Sequence, residues 1–167
     1  VMGFEAVGAL VGAAGETFSS DEMYGWNGWI ESSYATGLVT GDSGVGGLIG
    51  WSKANWVVNC FATGPVQGNS GVGGLIGRGF SGTVNQCYAV GEVSGFSDAG
   101  GLVGAAGDAL SVAGYWDIEA SGIDASAGGE GRSTAEMKQA ATFTEWDFDL
   151  VWGNVEGISY PYLRVSP

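Results

Sequence analysis

The sequence predicts an all-β protein, a parallel β-solenoid (β-helix) of about four 27-residue coils closed by a C-terminal cap that contains one short helix. Three observations lead there: two short phrases recur with one period, 33 of the 167 residues are glycine, and aromatic residues crowd the chain after the last repeat. Average glycine usage is about 7%. Because 45% of the residues are apolar, the chain can still form a core, and its glycines mark regular turns.

The first phrase is Gly-Gly-Leu-Ile-Gly or a close variant. It occupies residues 46–50, 73–77 and 100–104, so both steps are 27 residues long. A variant at residues 8–12 lies 38 residues before the copy at 46–50. The first coil therefore carries about 11 extra residues, and we expect them to form a surface loop at about 15–29.

The second phrase is an aromatic residue, alanine, a variable residue and glycine. Its aromatic residues recur at the same 27-residue step, at Tyr34, Phe61, Tyr88 and Tyr115. Helical repeats run to about 33 residues or more, whereas 27 extended residues of about 3.3 Å can pass once around a three-sided coil. The repeat therefore predicts one solenoid coil per unit.

Equivalent residues of successive coils should stack as ladders about 4.8 Å apart. One ladder is the set of four aromatic residues, and a second is Leu10, Leu48, Leu75 and Leu102. Strand alternation predicts that the residues after these leucines, namely Val11, Ile49, Ile76 and Val103, lie on the opposite face.

A third set of stacked positions should point into the core. It consists of Ser33, Cys60 and Cys87 with Ala35, Ala62 and Ala89. The alternate positions hold the polar residues Asn59, Gln86 and Thr63, which favours this orientation, whereas Val57 and Val84 oppose it.

The two phrases resemble the GLUG motif, a glycine-rich repeat of bacterial and archaeal surface and secreted proteins. The similarity covers residues 1 to about 117. It continues in segments typical of the end of such arrays, namely Tyr115-Trp116-Asp117, the residues 128–134, Trp146-Asp147-Phe148 and Tyr160-Pro161-Tyr162-Leu163. The resemblance implies a solenoid in an adhesin-type, secreted or cell-surface context, and it supplies no catalytic residues.

Residues 118–167 are predicted to form the cap. Ser133 and Glu136 have the spacing of a capping box, which predicts a helix at about 133–142. The apolar residues that follow should cover the open end of the last coil, since raw solenoid ends aggregate. No comparable segment accompanies Val1, so we expect that end to stack on another domain of a larger protein or on another copy of the chain.

Composition excludes several classes of function. The formal charge of −13 argues against binding to nucleic acids and to anionic membrane surfaces. The chain also contains no run of 18 apolar residues, which a membrane-spanning helix would need. The chain has no histidine, which removes the commonest general base and zinc ligand. No cofactor or metal is expected; calcium is the weak exception, because acidic turns could ligate it although no calcium-loop motif is present. The acidic residues Asp42, Glu92, Asp98 and Asp117 occupy unrelated points of the coil, which argues against an enzyme.

The insertion carries the candidate binding residues, namely Asp21, Glu22, Tyr24, Trp26 and Trp29. Exposed aromatic residues beside carboxylates suit a carbohydrate or a surface protein. Alternatively, these rings fold back and cover the flank of the solenoid.

Cys60 and Cys87 lie one period apart and should be vertical neighbours. Stacked Cα atoms at about 4.8 Å fall within the disulfide range, but their parallel side chains hold the Cβ atoms farther apart than a disulfide prefers. The sequence is compatible with a disulfide and with two buried thiols, and the geometry favours the thiols.

The sequence thus predicts a non-enzymatic structural or adhesive module of a secreted or cell-surface protein. One alternative is a subunit of an extracellular filament that grows by head-to-tail stacking. A lesser alternative is a β-helix enzyme that acts on polysaccharides.

Overall fold

The computed structural model describes residues 1–14 and 28–164 and confirms the predicted fold class. The chain is all-β, with 54% strand and 7% helix, and its parallel coils stack as a β-solenoid of about three turns. Residues 15–27, which hold most of the predicted insertion, lie outside the described residues.

The described residues form sixteen strands and one α-helix. In chain order the strands are Glu5–Gly8 (β1), Val11–Ala14 (β2), Trp29–Glu31 (β3), Tyr34–Ala35 (β4), Val39–Thr40 (β5), Ser43–Gly46 (β6), Ile49–Ser52 (β7), Asn55–Val58 (β8), Phe61–Ala62 (β9), Val66–Gly73 (β10), Ile76–Ala89 (β11), Val93–Gly100 (β12), Val103–Asp117 (β13), Glu130–Arg132 (β14), Trp152–Gly153 (β15) and Tyr162–Leu163 (β16). The helix α1 spans Ile118–Ser121.

Parallel strands form three faces of the solenoid. The first face is the sheet β1-β6-β10-β12, with β5 also paired to β10. The second and third faces belong to one continuous sheet, because β11 and β13 each run along both of them. The second face contains β2 and β7, and the third contains β3, β4, β8 and β9.

The strand register confirms the 27-residue period. On the first face Val45 pairs with Val72, and on the second Ile49 pairs with Ile76, which pairs with Val103. The aromatic ladder is confirmed as a ring stack for its first three members, since the rings of Tyr34 and Phe61 stack at 5.0 Å and those of Phe61 and Tyr88 at 5.1 Å. Tyr115 is in strand register with Tyr88, but its ring packs against Phe143 and Trp146 of the cap.

The expected separation of the leucine and isoleucine ladders onto opposite faces is wrong. Leu48 and Ile49 are both fully buried in the same core cluster, as are their equivalents in the next two coils. The reason is the corner between β6 and β7, where the chain changes direction and strand alternation stops. In the first coil the ladder frays, since Leu10 is about half exposed.

Cys60, Ala62, Cys87 and Ala89 do point into the core, as predicted. Val57 and Val84, which opposed that prediction, are buried in the same cluster. Asn59 and Gln86 have φ values of 53° and 51°, so each is an extra left-handed residue in its strand. This bulge interrupts the inward and outward alternation of side chains. The valine before this bulge and the cysteine after it can therefore face inward together.

The cap has two parts, and only the first covers the end of the last coil. Residues 118–132 contain α1 and β14, and they cross the corner at Leu102, where Gly101 N donates to Ala125 O at 2.9 Å and Ala127 N donates to Val103 O at 2.9 Å. Strand β14 pairs with the end of β13. Helix α1 is a short helix that the sequence did not predict.

The second part, residues 133–164, packs on the flank of the solenoid rather than on its end. Its aromatic residues cover Phe61 and Tyr88 of the ladder in one cluster, with Met137, Phe143, Trp146 and Trp152 as the buried members from the cap. The aromatic concentration in the sequence did predict a cap. Its second part packs on the flank rather than over the predicted open end, because the aromatic ladder faces outward and is buried by these residues.

The predicted helix at 133–142 is also wrong. The capping box forms, because Glu136 Oε2 accepts from Ser133 N at 2.9 Å and Glu136 N donates to Ser133 Oγ at 3.3 Å. The turns that follow are two 3₁₀ helices, Glu136–Lys138 and Ala140–Thr142, separated by the extended residue Gln139. Met137 lies in the first of these turns and is fully buried in the aromatic cluster. Its side chain holds the start of this segment against the solenoid, and the segment continues as short turns rather than as one helix.

Two tyrosines between the solenoid and the cap predict a loss of stability at alkaline pH. Burial and a hydrogen bond to Asp117 raise the pKa of Tyr160 to about 12, and burial raises the pKa of Tyr88. In the unfolded chain the pKa is near 10, so the folded protein holds these protons more tightly. Their contribution is complete below about pH 10 and is lost as the pH rises toward and beyond the folded pKa values.

We therefore expect the urea midpoint to be constant from about pH 8 to pH 9 and to fall above about pH 10. Tyr160→Phe should weaken this dependence, whereas Tyr162→Phe, at an exposed tyrosine, should leave it unchanged. A wild-type midpoint that stays constant to about pH 11.5 would contradict this account.

Candidate ligand-binding surface

Trp29 is the only predicted binding residue within the described part of the chain. Asp21, Glu22, Tyr24 and Trp26 lie outside the described residues. Trp29 begins β3 on the third face, and 63% of its surface is exposed.

Trp29 stacks on Trp56, which sequence reasoning did not single out. The two residues are in register between β3 and β8, and their rings lie 5.4 Å apart with an 8° angle between the planes. Trp56 is 41% exposed. The signal was available, because the two tryptophans are separated by one 27-residue period, as are the residues of the recognised phrases.

The third face presents these indoles because its strands alternate. Ile30, Val57, Val84 and Val112 pack against or within the core. Their neighbours in the strands form two outward rows, which run from coil to coil as Trp29, Trp56, Thr83 and Ser111 and as Glu31, Val58, Asn85 and Ala113. The first row thus changes from two large rings to two short hydroxyl side chains.

This change leaves a step on the surface. The ring spacing of 5.4 Å is close to the coil spacing, so the rings stack along the coil-to-coil direction. One face of Trp56 stacks on Trp29, and Thr83 is the next residue of the row on the other side of Trp56. Thr83 and Ser111 are too short to cover an indole ring, so they form a lower floor beside it.

A groove of about 380 Å³ opens at the far side of this floor. Asn85 and Ala113 belong to its base, and the cap residues Thr144, Glu145 and Trp146 line its other side. Gln86 fastens the cap here, because its Nε2 donates to Glu145 O at 2.7 Å. The groove therefore lies between the third face and the cap.

The electrostatic character of the groove is polar and acidic. Glu130 and Glu145 line it, and the Arg132 guanidinium both pairs with Glu130 and lies 5.6 Å from the Tyr115 ring centre. The lining thus combines aromatic, amide, hydroxyl and carboxylate groups, which suits a polar ligand with hydroxyl groups.

Cys60 and Cys87 are free thiols that are buried in the core, and no disulfide joins them. Their Sγ atoms approach Val58 O and Asn85 O, each at 3.1 Å. Burial raises the pKa of Cys87 well above its usual range, whereas a hydrogen bond from Cys87 lowers the pKa of Cys60. These side chains are sealed from the outer surface and take no part in the candidate site.

The four acidic residues considered for catalysis are dispersed in the structure. Asp42 accepts a hydrogen bond from Asn69 on the first face, and Glu92 is exposed directly before β12. Asp98 lies 3.8 Å from Arg78, and Asp117 is buried beneath the cap. Across residues 1–14 and 28–164 no group of three or more His, Cys, Asp or Glu side chains could hold a metal ion. Within the same residues no helix is long and apolar enough to cross a membrane.

Comparisons with protein-family models, with curated proteins and with solved structures found no match for this chain. The surface of the described residues, which carries the stacked indoles and a groove beside the cap, is therefore the basis for a proposed function.

Proposed function

We propose that this chain is a non-enzymatic adhesive module of a secreted or cell-surface protein, related to the GLUG-motif repeats, and that it binds its ligand through Trp29 and Trp56. The observation that carries the proposal is the exposed indole stack on the outer side of the third face. Exposed tryptophans are unfavourable in water, and large aromatic side chains are the commonest anchors of binding surfaces.

The solenoid makes this surface rigid before a ligand arrives. Trp29 and Trp56 are held side by side by parallel strand pairing, and the residues beneath them belong to a buried core. Binding therefore costs little side-chain entropy, which is the advantage of a preorganised site. The fold supplies a firm support for adhesion, and the indoles supply the contact.

The arrangement of the cap favours a module over a subunit of a head-to-tail filament. A neighbour that continued the coil register would need the hydrogen-bonding groups of Gly101 and Val103, which already bond to Ala125 and Ala127. The carboxylates predicted from the sequence are dispersed, and of the two that line the groove Glu130 is paired with Arg132. Both observations favour binding over hydrolysis, since glycosidases use two carboxyl groups that flank one bond.

Adhesion by beads coated with the protein tests this proposal. The beads are applied to insoluble polysaccharides and to films of extracellular proteins, and retention under flow is counted. Replacing both Trp29 and Trp56 with alanine should reduce retention on the best surface by about tenfold or more, because anchor residues dominate binding energy. Phe96→Ala is the matched control, since this ring is 94% exposed on the first face.

Equal retention of the double variant and the wild type would contradict the proposal. A wild-type protein that adheres to none of the surfaces would contradict it as well. Release of soluble sugar from any of the polysaccharides by the purified protein would contradict the non-enzymatic assignment.

A further inference from the structure

We infer that the ligand is a neutral polysaccharide chain that lies across the third face, from the side of Trp56 that faces away from Trp29 to the groove beneath the cap. This inference rests on the proposed function and adds the chemical class of the ligand and a second contact site. It is carried by the strand register, which places Thr83 and Ser111 beside Trp56 and two residues before Asn85 and Ala113, which line the groove.

The first contact is the side of the partly exposed Trp56 ring that faces away from Trp29. Thr83 is in register with Trp56, and Ser111 is in register with Thr83, so both lie directly below the open space beside this ring. A flat ring that stands on this floor would stack against the indole. The two hydroxyl groups would lie at its lower edge.

The second contact is the groove. Asn85 follows Thr83 by two residues on the same side of β11, which is about 6.6 Å along the strand. Ala113 lies one strand further in the same row, in register with Asn85. From Trp56 to Ala113 the path therefore crosses two strand spacings, about 10 Å, and advances about 6.6 Å along the strand, which is about 12 Å in a straight line. Ala113 lines the groove together with Thr144 and Trp146 of the cap.

The chemistry along this path suits a pyranose chain. A pyranose ring has apolar C–H faces, which pack on an indole, and a rim of hydroxyl groups, which require donors and acceptors. The amide of Asn85 and the hydroxyl groups of Thr83 and Thr144 can both donate and accept. An apolar peptide would leave these groups without partners, and that cost disfavours it.

Charge excludes an anionic polysaccharide. The chain has a formal charge of −13, and Glu31 belongs to the third face while Glu130 and Glu145 line the groove. A uronate or sulfated polymer would be repelled along the whole path. A neutral chain carries no such penalty.

Calorimetric titration of the whole protein with soluble oligosaccharides tests the inference. The probes are disaccharides and hexasaccharides of β-1,4-linked glucose, xylose and mannose and of β-1,3-linked glucose, with polygalacturonate as the anionic comparison. For at least one series the hexasaccharide should bind about tenfold tighter than the disaccharide, because only the longer chain reaches both contacts. Trp56→Ala should abolish the binding of both lengths.

Ala113→Phe fills the base of the groove and should reduce the affinity for the hexasaccharide to that for the disaccharide. Ala106→Phe is the matched control, because Ala106 is an exposed residue of the same strand outside the groove, and it should keep the full advantage of length. Circular dichroism of each variant establishes that it is folded.

Four results would overturn the inference. Equal affinity for the two lengths, or full retention of the length advantage in Ala113→Phe, removes the groove contact. Binding of polygalacturonate as tightly as of the neutral chains removes the neutral class. If the coated beads adhere through Trp29 and Trp56 to protein films while no oligosaccharide binds, the proposed function stands and the polysaccharide assignment fails.

Discussion

Asp117→Ala is expected to lower the free energy of unfolding by about 3 to 4 kcal/mol, because it removes a charged acceptor of several hydrogen bonds. The carboxylate is fully buried, and its Oδ1 caps α1 by accepting from Glu119 N and Ala120 N, both at 2.9 Å. Thr134 Oγ1 donates to the same oxygen at 3.0 Å, and Tyr160 OH donates to Oδ2 at 2.7 Å.

This one side chain thus joins the last coil, α1 and the part of the cap that packs on the flank. A helix cap contributes about 1 kcal/mol, and hydrogen bonds to a charged group contribute about 1.5 to 3 kcal/mol each. These contributions overlap, so the expected loss is well below their sum.

Urea unfolding, followed by tryptophan fluorescence, measures the effect. Asp117→Asn keeps the shape and one acceptor oxygen and should cost clearly less than the alanine variant. Asp124→Ala removes an exposed aspartate of the same segment and should change the midpoint little. A loss of less than about 1 kcal/mol in Asp117→Ala would show that water replaces the carboxylate easily.

Gly74→Ala should destabilise the solenoid by about 3 kcal/mol or more, because overpacking against backbone cannot be relieved by a change of rotamer. A Cβ at this position would lie 2.1 Å from Gly101 O and 2.9 Å from Ala89 Cβ. The Gly101 carbonyl belongs to the next coil, so the two coils would have to separate where their corners meet.

Gly37→Ala is the matched control, since a Cβ there meets nothing within 4 Å. This variant should be neutral or more stable by up to about 1 kcal/mol, because alanine restricts the unfolded chain. Thermal unfolding of the two variants side by side measures the difference. Equal melting temperatures would mean that the corner glycines serve the turn alone and not the contact between coils.

Periodicity in the sequence was enough to predict the solenoid, the register and the aromatic ladder. In a solenoid, each coil contacts mainly its neighbours, so a 27-residue repeat translates directly into stacked positions such as Ile49, Ile76 and Val103. Alternation within a coil was less reliable. It failed at the Leu48 corner and at the bulge residue Asn59, where backbone geometry replaces the two-residue period.

The candidate site was only partly predictable. Trp29 was predicted as the last residue of the insertion loop, whereas the structure places it in β3. The 27-residue offset would have led from Trp29 to Trp56. The groove could not be inferred, because it forms where Thr144 to Trp146 meet Asn85 and Ala113, which are distant in sequence.

The sequence alone thus determined the coil, its stacking and the presence of a cap, because repeats and local composition are properties of neighbouring residues and of one period. Only the tertiary structure decided which side the cap covers. Residues 133–164 pack on the outward aromatic ladder, so the cap residues near Trp146 face the third face and create a groove beside its exposed indoles. That placement depends on packing between segments that no period relates, and such packing is what the sequence pattern does not encode.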